Sequence, residues 1–270
     1  MLHEYETLPF YGPVTSRRSG LSLGVCLGND KKACNWKCIY CQCKNARFQK
    51  ENLYHHWDLI DLRPYAIQLI RSLPQLDSIT IAGQIEPSLH PQLPEVIKWL
   101  IGIKAECGLK CKIEMLTNGS GLSLPKVRRA CEQLDEVWVK LDAGDPETMY
   151  AINGLRSKNA VVRQIKLIKG LRKRYIQTML INGPGALNNI NKKSAGALLD
   201  AIVQCSPQQV NIVTLERTPA LSKIKSVSKQ VLKSFASRLS QEGIRAEIFP
   251  ARKGKRYDFK IEHCSQDSKL

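Results

Sequence analysis

Between residues 20 and 249 the chain repeatedly exchanges one hydrophobic period for another, and this alternation limits its fold more than any other feature. Short runs such as "GLSLGVCLG" and "DSITIAG", rich in β-branched or alternating apolar residues, predict strands at 20–28, 77–83, 111–117, 136–142, 175–181, 208–214 and 244–249. Between them, apolar residues at helical spacing predict helices at 61–73, 92–106, 124–133, 158–172, 191–204 and 227–242. In the first, Leu62, Ala66, Leu69, Ile70 and Leu73 form the apolar stripe, and Asp61 stands where a cap is expected. Strands and helices alternating at this spacing are βα units around a parallel sheet. Six or seven units predict an α/β fold, a full or partial (βα) barrel with parallel strands, with an open doubly wound sheet as the alternative.

The 270 residues suit one large α/β domain or two small ones. No Pro/Gly/Ser linker, low-complexity segment or close repeat divides them, so the expected organisation is a core at 20–250, a lead-in at 1–19 and a basic polar tail at 251–270. Residues 1–25 do not resemble a secretory signal, and the apolar run "EVIKWLIGIKA" is interrupted by Lys98 and Lys104 well short of a membrane span. A cytoplasmic protein without a membrane partner is expected. In that reducing setting, cysteines point to metal or catalysis sooner than to disulfides.

Lys and Arg number 41 against 24 Asp and Glu, a net charge of +17. Such an excess raises affinity for polyanions, nucleic acids among them, although it accompanies no RNA- or DNA-reading motif and a solvated basic surface accounts for it equally well.

In parallel βα folds, ligands gather where the carboxyl ends of the strands meet the following loops. Here those ends read "CNWKCIYC", "GQIEPSLHP", "TNGSG", "KLDAGD", "INGPG" and "ERTPA", so polar, Gly and Pro residues recur at one end of every strand. Turn chemistry alone accounts for any one of them; their coincidence with a cysteine cluster argues for one shared site. Four of the ten cysteines fall between positions 34 and 43, and Cys34, Cys38 and Cys41 have the spacing C-x3-C-x2-C. Thiolates favour zinc or iron–sulfur clusters. Structural zinc wants four ligands, usually as two separated pairs, and the other cysteines offer no second pair. Three ligands suit a four-iron cluster with one iron left free. Cys43 is either a spare thiol or a fourth ligand that closes the cluster.

The cysteine spacing, with Tyr40 just before the last cysteine, resembles the signature of the radical S-adenosylmethionine (radical SAM) superfamily. The lead-in "YGPVTSRRSGLSLGV", with "EPSLHP", "TNGS", "VKLDAGDPETMYAING" and "QTMLING", is similar to the branch that includes the wyosine synthases; the likeness runs from about residue 10 to about residue 220. The resemblance implies a [4Fe-4S] cluster on Cys34, Cys38 and Cys41 whose open iron binds S-adenosylmethionine. It also implies an external one-electron donor and a 5′-deoxyadenosyl radical that abstracts hydrogen from the substrate. By position it sets Tyr40 near the adenine, Gly83 and Glu86 at the methionyl amino group, and Asn118, Lys140 and Asp142 at the carboxylate and ribose. Ile85 departs from the pattern, standing where a second glycine is usual.

Each residue also has a plainer reading. Asn118 and Gly119 form a turn, Lys140 and Asp142 an ion pair in the barrel mouth, Glu86 and Pro87 a strand stop, and His90 a cap or packing residue. Cys26, Cys107, Cys111, Cys131 and Cys205 read as core or surface residues. The expected function is a radical SAM enzyme, with tRNA modification as the substrate class implied by the branch and the charge. A radical SAM enzyme acting on a small metabolite or a protein (activase-like) and a non-catalytic iron–sulfur or zinc RNA-binding protein remain the alternatives.

Overall fold

The computed structural model describes residues 9–28, 33–41, 54, 56–219 and 221–252; Cys43, His55 and the tail beyond 252 lie outside the described residues. Eight strands lie in one sheet in chain order: β1 (Phe10–Ser16), β2 (Gly20–Val25), β3 (Ser78–Ile81), β4 (Lys112–Thr117), β5 (Glu136–Lys140), β6 (Tyr175–Leu180), β7 (Gln209–Thr214) and β8 (Ala246–Phe249). From β2 onward every pair is parallel, while β1 returns antiparallel to β2. A sheet that always steps to the same side curls, and this one forms a half-barrel with β1 and β8 as its edges. The expected α/β fold with a partial barrel is borne out.

Helices α1 (Arg63–Ser72), α2 (Leu93–Glu106), α3 (Pro125–Cys131), α5 (Ala160–Lys169), α6 (Lys192–Cys205) and α7 (Lys229–Gln241) form within a few residues of their expected places. α1 starts without Asp61: Leu62 is its cap residue, Pro64 occupies the first turn, and Asp58 Oδ1 accepts from the backbone N–H groups of Ile60 and Asp61 instead. Two further elements are α4 (Pro146–Asn153) and strand β1. Asp145 Oδ1 accepts from Thr148 N at 2.8 Å to open α4, and Gly154, at φ +75°, closes it. β1 lies in the lead-in, so the expected boundary at residue 19 falls inside a hairpin of the main sheet.

Strand alternation gives the sheet two unlike faces. Leu23, Ile79, Ile113, Val139, Ile176 and Ile212 point to the helices and are buried, as are Leu93, Ile97, Leu100 and Ile103 of α2. Each such side chain contributes about 1.5–3 kcal/mol. The lumen face is polar. Ser22 and Thr80 join their hydroxyls at 2.7 Å, and Thr80 donates to Glu114 Oε1 at 2.8 Å. Lys112 Nζ bridges Glu114 (3.3 Å) and Glu136 (2.9 Å), and Glu136 also accepts from Trp138 Nε1 at 2.9 Å. Polar groups kept from water persist when partnered in this way. Among the described residues no helix is long and apolar enough to cross a membrane, and none of the eight described cysteines is in a disulfide.

Candidate active site at the mouth of the half-barrel

The cysteine stretch after β2 lies across the carboxyl ends of the strands, and the backbone holds it there. Ala33 bridges Ile85 and its carbonyl accepts from Glu86 N at 2.7 Å. Lys37 N and Ile39 N donate to the carbonyls of Asn153 and Ile152, both at 2.9 Å, and Leu221 N donates to Ile39 O at 3.2 Å. Cys34, Cys38 and Cys41 are partly exposed. Two sulfurs meet amide donors: Cys34 accepts from Trp36 N (3.4 Å) and Asn118 Nδ2 (3.6 Å), and Cys38 accepts from Asn153 Nδ2 (3.3 Å).

Next to Cys38 stands a buried charged network. Asp142 Oδ1 pairs with Lys140 Nζ at 3.0 Å and accepts from Met179 N at 2.8 Å; Oδ2 accepts from Tyr40 Oη at 2.5 Å and Asn153 Nδ2 at 2.8 Å. The Lys140 ammonium also lies 5.1 Å from the centre of the Tyr40 ring. Burial, followed by the Asp142 carboxylate, pushes the Cys38 thiol up to about 11, and the same two causes hold the Tyr40 phenol well above its ordinary range. A metal bound at Cys38 therefore has to displace a proton. Asn189 braces the network from behind, donating to the carbonyls of Asp142 and Met179 and accepting from Ile181 N.

Glu86 and Asn118 occupy the other side of the mouth. Glu86 is buried with both oxygens engaged: Oε1 accepts from Ser88 N (3.0 Å), Ser88 Oγ (2.6 Å) and the Thr117 hydroxyl, and Oε2 from Asn118 N (2.7 Å). Burial still raises its pKa against those donors. The carboxylate thus ties the loop after β3 to the loop after β4. Asn118 both forms a turn, accepting from Ser120 N at 2.9 Å, and reaches the cysteine loop through Asn35 at 2.9 Å and Cys34. Gly83 sits at φ +149°, where an added Cβ would stand 2.5 Å from Cys26 Sγ. Ile85 is accommodated because Gly28 faces it: a Cβ on Gly28 would come within 2.3 Å of its methyl group. His90 both caps and packs: it closes the turn Pro87–Leu89, accepts from Gln92 N through Nδ1 at 3.2 Å, and lies buried edge-on against Tyr54.

Eight of the nine expected residues thus fall into two groups, Cys34 with Asn118 and Glu86, and Cys38 with Cys41, Tyr40, Lys140 and Asp142, joined by the loop at 33–41, while Gly83 is set against Cys26. Asn153, Asn189 and Gln164 were not singled out from the sequence; Gln164 Nε2 donates to the carbonyls of Asn118 and Lys140, both at 2.8 Å. "MYAING" and "ALNN" contain two of them, but their pairing is tertiary and spacing does not reveal it.

Among the described residues no three His, Cys, Asp or Glu side chains stand close enough to share one metal ion. A four-iron cluster asks something different: it carries each thiolate on a separate iron and is tuned by hydrogen bonds to sulfur. Three soft donors on one loop, two already aimed at by amide N–H groups, fit that group.

No family profile matches the chain. A UPF0026 protein of Helicobacter pylori strain J99 is 30% identical over 240 residues, spanning 84% of this chain and 73% of that one. A radical SAM methyltransferase from Sphaerobacter thermophilus superposes with a TM-score of 0.60 at 18% identity, over 86% of this chain and 67% of that one. TYW1, solved with a lysine-pyruvate adduct, also gives 0.60 at 15% identity, over 82% and 73%. SuiB of Streptococcus suis bound to S-adenosylmethionine gives 0.59 at 14%, and there the chain spans only 49% of the longer protein. At these identities the structural matches establish the fold, which is the radical SAM core.

Proposed function

Since the chain belongs to the UPF0026 protein family and has the radical SAM core fold, we propose that it is a radical SAM enzyme, with Cys34, Cys38 and Cys41 holding a [4Fe-4S] cluster whose fourth iron takes S-adenosylmethionine. The observation that carries this reading is the seat of the cysteine loop across the strand ends, with Asn118 and Asn153 donating to its sulfurs. When bound, the cluster supplies the electron that breaks a carbon–sulfur bond of S-adenosylmethionine, giving methionine and a 5′-deoxyadenosyl radical that takes hydrogen from the substrate.

The chain's own residues position and shield. Asn118 and Asn153 hold two thiols in place and lower the negative charge on bound sulfur. Lys140 offers an ammonium to the carboxylate of the methionyl part, with Tyr40 beside it for the adenine, and Asp142, buried with both oxygens engaged by the protein, acts by holding these two in place. Gly83, whose place a side chain could take only by displacing Cys26, lets the backbone after β3 make its turn, and that backbone would approach the methionyl amino group. Glu86, with both oxygens engaged by the protein, acts by fixing Asn118. An external one-electron donor and a cytoplasmic, reducing setting complete the reading.

The net charge of +17 supports a second, finer reading, in which the substrate is a tRNA or another polyanion. One experiment addresses both readings. Protein reconstituted anaerobically with iron and sulfide should hold about four irons per chain and release 5′-deoxyadenosine when given S-adenosylmethionine and dithionite. Cys38→Ala should abolish that release. Unfractionated tRNA at low salt should increase it if tRNA is the substrate. Zinc in place of iron, or no 5′-deoxyadenosine from the iron-loaded protein, would refute the enzyme reading, and indifference to tRNA would refute the finer one.

A further inference from the structure

Hydrogen bonding in the lumen stops one row short of the mouth. Deeper in, the carboxylates of Glu114 and Glu136 are paired, and the rings of Trp138 and Tyr175 pack with centroids 5.0 Å apart. The next row toward the carboxyl ends is formed by Lys140, Gln177 and Asn211, partners in register across β5, β6 and β7. Val139, Ile176 and Ile212, their chain neighbours, turn to the helices, so strand alternation turns these three side chains into the lumen.

Gln177 is 7% exposed, yet its Oε1 is shielded from solvent and has no hydrogen-bond partner. Lys140 Nζ in the same row is shielded too, and it meets Asp142 Oδ1 at 3.0 Å as an ion pair without hydrogen-bond alignment. Asn211, also buried, is oriented by Gln209, whose Nε2 donates to its Oδ1 at 3.1 Å. Gln164, likewise buried, differs from Gln177: its Nε2 donates to two carbonyls. A buried amide oxygen left unpaired weakens the fold and is rare in native interiors. One that stands in the row nearest the cysteine loop points to a ligand. Met179 is the next lumen-facing residue of β6 toward the mouth; it is partly exposed, and its unbranched thioether side chain can repack to admit a group.

We propose that Gln177 is a substrate-recognition residue, and that its carboxamide receives an amide edge of the substrate, a C=O and an N–H side by side as in a primary carboxamide or a lactam. The substrate N–H donates to Oε1, and the substrate carbonyl accepts from Nε2. A glutamine side chain carries its acceptor and its donors in one plane, so the two bonds form together. A trans peptide bond does not match, because its N–H and C=O point to opposite sides. The proposal rests on reading the lumen as the face where substrate meets S-adenosylmethionine. Its test reads folding and binding of the full chain without cluster, S-adenosylmethionine or reductant, so its failure and a failure of the enzyme reading are distinguishable.

Two measurements test it. In thermal unfolding, Gln177→Met keeps the length of the side chain and removes the unpaired oxygen, so the midpoint should hold or rise. Gln164→Met, which strands two carbonyls, should lower it by at least about 2 °C. In NMR spectra, the side-chain amide signals of Gln177 and Asn211 should shift saturably with acetamide or with valerolactam, the tighter of the two assigning an open-chain or a cyclic amide. N-methylacetamide, whose amide is trans, should bind about tenfold more weakly or not at all. In Gln177→Met, Asn211 should stop responding. Three results overturn the proposal: a lower midpoint for Gln177→Met, which makes the carboxamide a structural partner; no response to either acetamide or valerolactam; or a response that is as strong with N-methylacetamide or persists at Asn211 in Gln177→Met, which makes the contact nonspecific.

Discussion

Asp142→Ala is expected to destabilise the cofactor-free protein by about 3–5 kcal/mol, the usual cost of stranding one member of a buried ion pair. The carboxylate is fully buried, and its removal leaves the Lys140 ammonium, with a side chain only 14% exposed, without its partner. Met179 N, the Tyr40 hydroxyl and the Asn153 amide each lose an acceptor as well. Asn153 also holds Cys38, and its carbonyl holds Lys37 N, so the damage should spread to the cysteine loop. Adding Lys140→Met to Asp142→Ala should recover part of the loss, since the stranded charge is then gone and the two changes couple. Urea unfolding of the two variants checks both statements. A cost below about 1 kcal/mol for Asp142→Ala would mean that the network contributes little in solution.

Gly121→Ala should cost as much, by a different route. A Cβ at this position would stand 1.7 Å from the carbonyl oxygen of Ser88 and 2.5 Å from its carbon, both backbone atoms that no rotamer change can move. Overpacking costs about 1–3 kcal/mol where side chains can shift; here the loop after β4 must separate from the turn after β3, so the loss should reach or exceed the upper figure. The contact between Gly121 N and Ser88 Oγ at 3.0 Å breaks with it, and Glu86 loses its alignment with Asn118. Gly196→Ala in α6 is the matched control. It meets nothing within 4 Å, and as a glycine removed from a helix interior it should gain up to about 1 kcal/mol. Equal midpoints for the two variants in thermal unfolding would contradict this picture of the tight contact.

Much of the architecture can be read along the chain because both periods are strong: "SITI", "YIQTML" and "QVNIVT" are β-rich and short, and the helices between them carry continuous apolar stripes. β1 is obscured by Gly12 and Pro13, which interrupt alternation where the strand bulges between Tyr11 and Val14. α4 is short and has a weak stripe, although its Asp145-Pro146 start and Gly154 end were present as signals. The site divides in the same way. Cysteine spacing is local and visible, and the turn role of Asn118 and the Lys140–Asp142 pair follow from short-range chemistry. The inward turn of Glu86 and the anchoring roles of Asn153, Asn189 and Gln164 depend on segments far apart in sequence. The polar lumen is legible in hindsight, since Thr80, Glu114, Gln177 and Asn211 fall at alternate positions of otherwise apolar strands.

The central claim is that Cys34, Cys38 and Cys41 hold a four-iron cluster with one iron not bound to protein, and iron-57 Mössbauer spectroscopy of the reconstituted protein, with and without S-adenosylmethionine, tests it most directly. The expected result is a signal from one iron in four that shifts when S-adenosylmethionine is added and disappears, with the rest of the cluster, in Cys34→Ala. Four irons that all ignore S-adenosylmethionine, as they would if Cys43 closed the cluster, would contradict the account.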